Sequence, residues 1–232
     1  MSAPSISLSV ISTRIIRCHR CPELRAYCAE VARIRRRAFA DQNYYGKPVP
    51  GFGDPHASIL IVGLAPAAHG ANRTGRMFTG DRSGDFLYSA LHRAGFANQP
   101  TSVSIDDGLS LKHIYISASL RCAPPANKPT PAQLANCRSY LVSELKLLKP
   151  RVILVLGGIA LASALNAVRE FSGARVPAFK FQHAAEYEVA DARLLCCYHV
   201  SQQNTFTGRL TPAMIDSVLR RVRRLAGLPA TG

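Results

Sequence analysis

The sequence predicts an α/β fold of three layers, α/β/α, with a short central parallel sheet. Two observations carry this. Apolar runs at residues 58–62 (SILIV), 113–119 (HIYISAS), 152–156 (VILVL) and 194–198 (LLCCY) read as strands, and near-continuous apolarity suits strands buried on both faces. Each run is followed by helix signals, so strands and helices alternate along the chain. With 232 residues, no internal repeat and no composition break, residues 13–232 are expected to form one domain, preceded by a disordered stretch over residues 1–12.

In chain order, the Ser- and Pro-containing start leads into a basic segment over residues 14–40. Within it, Leu24, Cys28, Val31, Ile34 and Ala38 mark one apolar face of a helix over residues 22–39. A turn-rich passage, residues 44–55, leads to the first strand. The helix after that strand has Ser83 as its expected N-cap and Phe86, Leu87, Ala90 and Leu91 on its apolar face. A polar loop, residues 98–109, precedes the second strand. Thr130, Pro131 and Gln133 supply an N-cap, an N1 proline and a capping box for a helix reaching about residue 149, where Pro150 stops it. Gly157-Gly158 turns the third strand into a helix over residues 159–171. Residues 184–192 read as a hairpin-like excursion before the last strand, which delivers His199 at its end. Thr211-Pro212 opens the last helix, whose terminal Arg220, Arg221, Arg223 and Arg224 complement its dipole.

Charge narrows the function. Lys and Arg total 29 against 14 Asp and Glu, a net charge of +15, and such an excess attracts polyanions, nucleic acid above all. No apolar run approaches the roughly 18 residues of a membrane span, and the amino terminus does not read as a signal peptide. A cytoplasmic, nucleoid-associated protein without a membrane partner is expected. In that compartment the seven cysteines are not a disulfide framework.

Two features carry chemistry. The first is the long stretch between the first strand and its helix, residues 63–85, which lies past the carboxyl end of a strand, where open α/β sheets place ligands. It is glycine-rich, and Arg73, Arg76 and Arg82 suit an anionic ligand. The second is a set of cysteines. Cys18 and Cys21 form a C-x2-C pair, and Cys122 precedes a proline-rich loop while Cys137 lies inside the helix it leads to. Four such thiolates suit zinc or a [4Fe–4S] cluster; spacing does not choose, although the Cys21-Pro22 step leans towards iron. Cys28, Cys196 and Cys197 read as buried apolar residues.

Gly63-Leu64-Ala65-Pro66-Ala67 together with Phe78-Thr79-Gly80-Asp81 resembles the first active-site motif of uracil-DNA glycosylases. His199-Val200-Ser201-Gln202-Gln203-Asn204 resembles their second. Arg121-Cys122-Ala123-Pro124-Pro125, with Asn127-Lys128-Pro129-Thr130-Pro131 and Cys137, is similar to the iron–sulfur branch, and in detail to family 5, the type B enzymes. The resemblance implies an α/β/α domain holding a structural [4Fe–4S] cluster on Cys18, Cys21, Cys122 and Cys137. It also implies excision of uracil, and of other deaminated bases such as hypoxanthine, from DNA, leaving an abasic site. A monomer is expected. The reading from a different class is a non-enzymatic nucleic-acid-binding protein with a structural metal.

Cleaving an N-glycosidic bond needs a flipped-out nucleotide, stabilisation of the departing base anion and a water aimed at the sugar. Phe78 offers a face for the base, and His199 a hydrogen bond to its carbonyl oxygen. Backbone N–H groups from Gly63 to Ala65 can do likewise. Asn204 and its loop are expected to enter the groove. Asp81 is the candidate for positioning water, with capping of the following helix as its plain alternative. The resemblance gives Asn127 a site role, while His69 stays open. Three positions depart from the wider superfamily: Ala65 is not an acid, residues 117–119 carry no Asn to read the base edge, and Val200 and Gln202 stand where prolines are usual. The missing reader is consistent with broad base specificity.

Overall fold

The computed structural model describes residues 7–173 and 175–230. Its centre is a six-stranded sheet in the order β1-β3-β2-β4-β6-β5. The four inner strands, β3 (Ile114–Ala118), β2 (Ile59–Gly63), β4 (Val152–Leu156) and β6 (Ala192–Cys197), are mutually parallel. They are the four apolar runs of the sequence. The edges add what apolarity alone does not mark: β1 (Phe52–Gly53) and β5 (Glu186–Val189) pair antiparallel with β3 and β6. β5 with β6 is the expected excursion.

Why the inner strands are apolar throughout follows from the layers. Along β2, Ile59 and Ile61 pack on one side with α4 (Arg82–Arg93) and α8 (Pro212–Leu225), whereas Leu60 and Val62 pack on the other with α5 (Pro131–Leu148) and α6 (Gly158–Ser172). Successive side chains alternate faces, so a strand covered on both sides is apolar nearly throughout, the buried Ser117 of β3 being paired with Glu144 and Arg121. The result is the expected α/β/α arrangement.

Local signals account for most helix ends. α5 starts with the capping box: the Gln133 N–H donates to Thr130 Oγ1, and the Thr130 N–H donates to Gln133 Oε1. Three findings differ from expectation. Residues 1–6 lie outside the described residues, but the rest of the stretch expected to be disordered enters α1 (Leu8–Ile16), capped by Ser7 and anchored by Ile11 and Ile15 against Tyr140 of α5. α2 (Pro22–Ile34) ends five residues short of Phe39, because Arg35 turns to φ +57° and a 3-10 turn (Arg37–Phe39) follows. The N-cap of α4 is Asp81, not Ser83.

The polar loop after α4 is tied down by a buried ion pair. Arg76 donates to Asp107 Oδ2 at 2.6 Å and to the hydroxyls of Thr79 and Ser102; the paired side chains are 2% and 7% exposed. Burial opposes the Asp107 charge. Arg76 and the N–H groups of Leu109, Val103 and Ser104 outweigh it and hold the pKa at about 2.

Asp107→Asn should therefore destabilise the fold by about 3–5 kcal/mol at pH 7, since it strands the Arg76 charge in the interior. Because the folded pKa is depressed, the stabilisation is full above the ordinary carboxylate value of about 4 and fades as pH falls towards 2. Urea unfolding of both proteins between pH 7 and pH 2.5 checks this: the gap should narrow on acidification.

Candidate active site

The site is assembled at the carboxyl ends of β2, β3 and β6. β2 ends at Gly63, and a Cβ there would lie 2.7 Å from the Phe78 ring, so the bare strand end lets that ring cross it. Phe78 adopts φ +53°, a conformation costly for a bulky residue. Its carbonyl oxygen would lie 1.8 Å from a Cβ at position 84. Gly84, in the first turn of α4, thus admits the Phe78 backbone directly against the helix.

Asp81 sits at that same helix end. Its Oδ1 accepts from the Gly84 N–H at 3.0 Å, while its Oδ2 lies where a side chain on Gly70 would otherwise project. Burial raises its pKa, partly offset by the N–H groups of Gly84 and Ser83. Capping and a site position are therefore not alternatives, since the residue does the first and borders the cavity.

His199 follows β6 and brings its ring 6.4 Å, centroid to centroid, from that of Phe78. Burial lowers its pKa, so the imidazole is neutral at pH 7. The Asn204 side chain donates to the His199 carbonyl at 2.8 Å, bracing the loop that starts α7 (Gln202–Phe206).

These residues enclose a cavity of about 340 Å³. Ala65, Phe78, Asp81, Asn127 and His199 all line it; Gly63 and Asn204 do not, Gly63 giving clearance for Phe78 and Asn204 bonding the His199 carbonyl. Ser201 and Gln203, unassigned in the sequence, also line it; their place in the second motif is the signal that points to them. Asn127 and its neighbour Ala126 both have positive φ, +56° and +51°. A larger cavity of about 1060 Å³ adjoins the first through Ala67, Asp81, Ala126 and Asn127. Arg36, His69, Arg73 and Arg82 line it.

The three loop arginines divide. Arg73 is spent on the carbonyls of His69 and Gly80 and on Gln42, and Arg76 on Asp107. Only Arg82 is exposed to solvent, lying 5.3 Å from the centre of the Phe206 ring. Buried arginines here shape the loop rather than greet a ligand. His69 has its pKa lowered by burial, then by Arg36 and Arg73, and its Nδ1 lies 3.0 Å from the Tyr44 hydroxyl.

The cysteines gather beside the two cavities, where Ala65 and Ala68 of the cavity lining pack against them. Cys21, Cys122 and Cys137 share one small buried cluster with Leu24, Cys28, Leu120 and Ala123, and Cys18 packs beside Ile15 and Tyr140. Asn136 Nδ2 donates to Cys21 Sγ at 3.4 Å. Among the described residues no three Cys, His or carboxylate side chains converge closely enough to define a metal position by geometry alone. Cys196 and Cys197 are fully buried strand residues, as expected. Among the described residues no helix is long and apolar enough to cross a membrane.

The model of the uracil DNA glycosylase superfamily matches residues 50–223. The type-5 uracil-DNA glycosylase of Mycobacterium tuberculosis is 52% identical over 225 residues, covering 96% of this chain and 83% of its own. That of Thermus thermophilus is 52% identical over 213 residues, 91% of this chain and 94% of its own, and that of Pyrobaculum aerophilum 44% over 214 residues, 92% and 91%. With its two motifs meeting at one cavity and relatives of this identity along nearly its whole length, the chain belongs to the uracil-DNA glycosylase superfamily, in the type-5 branch.

Proposed function

We propose that the chain hydrolyses the N-glycosidic bond of uracil in DNA, leaving an abasic site. The observation that carries this reading is the convergence of Phe78, His199 and Asp81 on one base-sized cavity beside a larger basic one. The flipped base stacks on Phe78, and the DNA strand that bears it runs along the larger cavity past Arg36 and Arg82. As the bond from the sugar C1′ to the base nitrogen breaks, its electron pair leaves with the base. The neutral His199 imidazole donates its N–H to the carbonyl oxygen that takes up this charge. Water adds to C1′, and its proton passes to Asp81. A carboxyl with a raised pKa is the stronger base of its kind, and its anion also faces the developing positive charge on the sugar.

Base choice follows from what the cavity lacks. Ala118 at the end of β3 lines it without an amide to read the pyrimidine edge, and Ala65 adds no charge. Hypoxanthine is a substrate on this reading.

The cysteine set fits a metal centre. Three of its four thiols share a buried cluster, and beside them the Arg25 Nε and Nη1 atoms are buried without a hydrogen-bond partner, as expected next to a group of negative charge. Cys18, Cys21, Cys122 and Cys137 would hold a [4Fe–4S] cluster, which supplies a cross-link between the amino-terminal segment and α5 and no step of the reaction.

Release of base from labelled duplexes carrying uracil, hypoxanthine or no damage, read by alkaline cleavage of the abasic strand, tests the function. Release from the two damaged duplexes alone is expected; none at enzyme excess with DNA binding intact would leave a binding protein. His199→Ala should lower single-turnover excision about a hundredfold, the scale for one donor to a developing oxyanion, with little change in DNA affinity. Asp81→Asn should cost at least about a hundredfold. In the parent protein excision should fall as pH drops through a value above the usual carboxylate range of about 4, and that acid limb should vanish in Asp81→Asn.

A further inference from the structure

Resting on the metal-centre reading, we propose that Arg25 is the counter-ion of the four-thiolate site, a positioning residue that holds the metal through charge rather than ligation. Cys21, the N-cap of α2, and Arg25 and Cys28 within it stand four and three residues apart and so share the face that packs on Cys122 and Cys137. Cys28 is fully buried and aims its thiol at the Ala123 carbonyl, 3.7 Å away, which places this turn of α2 against the Cys122 segment. Arg25, one turn before Cys28, has two guanidinium nitrogens, Nε and Nη1, that are sealed from solvent and have no hydrogen-bond partner. Among the described residues no carboxylate pairs with Arg25. Its charge is felt instead by Cys28, Cys122 and Tyr45. Nor does it line either cavity of the active site.

Arg25 is half-buried, but its two sealed, unsatisfied nitrogens are costly and persist where a neighbour of opposite charge makes up the deficit. Zinc on four thiolates and an oxidised [4Fe–4S] cluster on four thiolates are both dianions, so the argument holds for either. Another donor already serves the set from the side of α5. Asn136 donates to Cys21 Sγ at 3.4 Å. Arg25 completes this outer layer from α2, as groups around a metal's ligands do when they fix its affinity.

The test uses the metal-loaded full chain, with Arg25→Gln and Arg25→Lys. The readouts are metal content, the rate of metal release to EDTA and, if the metal is iron, the reduction potential. Arg25→Gln should release metal about 10- to 100-fold faster, and an iron centre should become harder to reduce. Arg25→Lys should restore release to within a few-fold of the parent. Release unchanged in Arg25→Gln, or equally fast in both variants, overturns the counter-ion role while the metal site stands. Failure of both variants to fold also overturns it, because packing and not charge is then what matters, whereas folding of Arg25→Lys alone supports it. A parent protein that purifies without metal and takes up neither iron nor zinc overturns this inference and the metal-centre reading together.

Discussion

The arrangement of the site depends on one close contact, that of the Phe78 carbonyl with the first turn of α4. At position 84 there is no room for a single extra carbon. Because the loop is pressed so tightly onto the helix, Phe78 is forced to positive φ and its ring is thrown back over the end of β2. The same compression brings Asp81 to the helix N-cap, one face of its carboxyl on the Gly84 N–H and the other towards Gly70. Aromatic face and carboxylate are thus placed by one backbone fold, and neither can move without the other. Strain of this kind persists only where the surroundings over-determine it. Here Arg73 and Arg76 do so from within, tying the loop to His69, Gly80, Thr79 and Ser102.

Much of this was legible in the sequence, and the legible part was local. Thr130, Pro131 and Gln133 determine how α5 begins through hydrogen bonds within one turn, so no distant residue can overrule them. The inner strands were readable because burial on both faces removes nearly every polar position, Ser117 of β3 being a paired exception. What stayed hidden depends on contacts far apart in sequence. The residues that continue α2 beyond Ile34 are ordinary helix formers, and nothing in them announces the left-handed turn at Arg35, which bonds instead to Ala40 and Asn43. α1 escaped notice because its two anchoring isoleucines find their partner on α5, more than a hundred residues on.

The same division runs through the site. Which residues matter was readable from the motifs; what each does was less so. Asn204 reads as a groove-entering amide but is held by the His199 carbonyl, a partner only the folded loop supplies. Arg73 and Arg76 read as anion binders, yet both are buried and committed to protein acceptors. A charged residue's role depends on whether its partner lies inside the protein, and the partner of Arg76, Asp107, belongs to a loop that sequence marks only as polar.

The cysteine segment and the active site adjoin, since Ala65 and Ala68, which line the two cavities, pack against the cysteine cluster, and a short stretch of chain joins them as well. Arg121 and Cys122 follow directly on β3, whose end, Ala118, lines the base cavity, and Ala126 and Asn127 of the next turn line it too. Residues 119–125 therefore run from one wall of the cavity to the thiol cluster and back. Inside this segment the fully buried Arg121 donates to Ser117 and to Glu144 of α5, which clamps the segment to the sheet from within. Asn127 has no such internal clamp and is itself exposed with positive φ. Its position is set by the cysteine ends that flank it, Cys122 on one side and Cys137 on the other. The cysteine cluster also meets the site directly, because Ala65, which lines the cavity, packs against it, while Phe78 and Asp81 rest on the end of β2 and on α4.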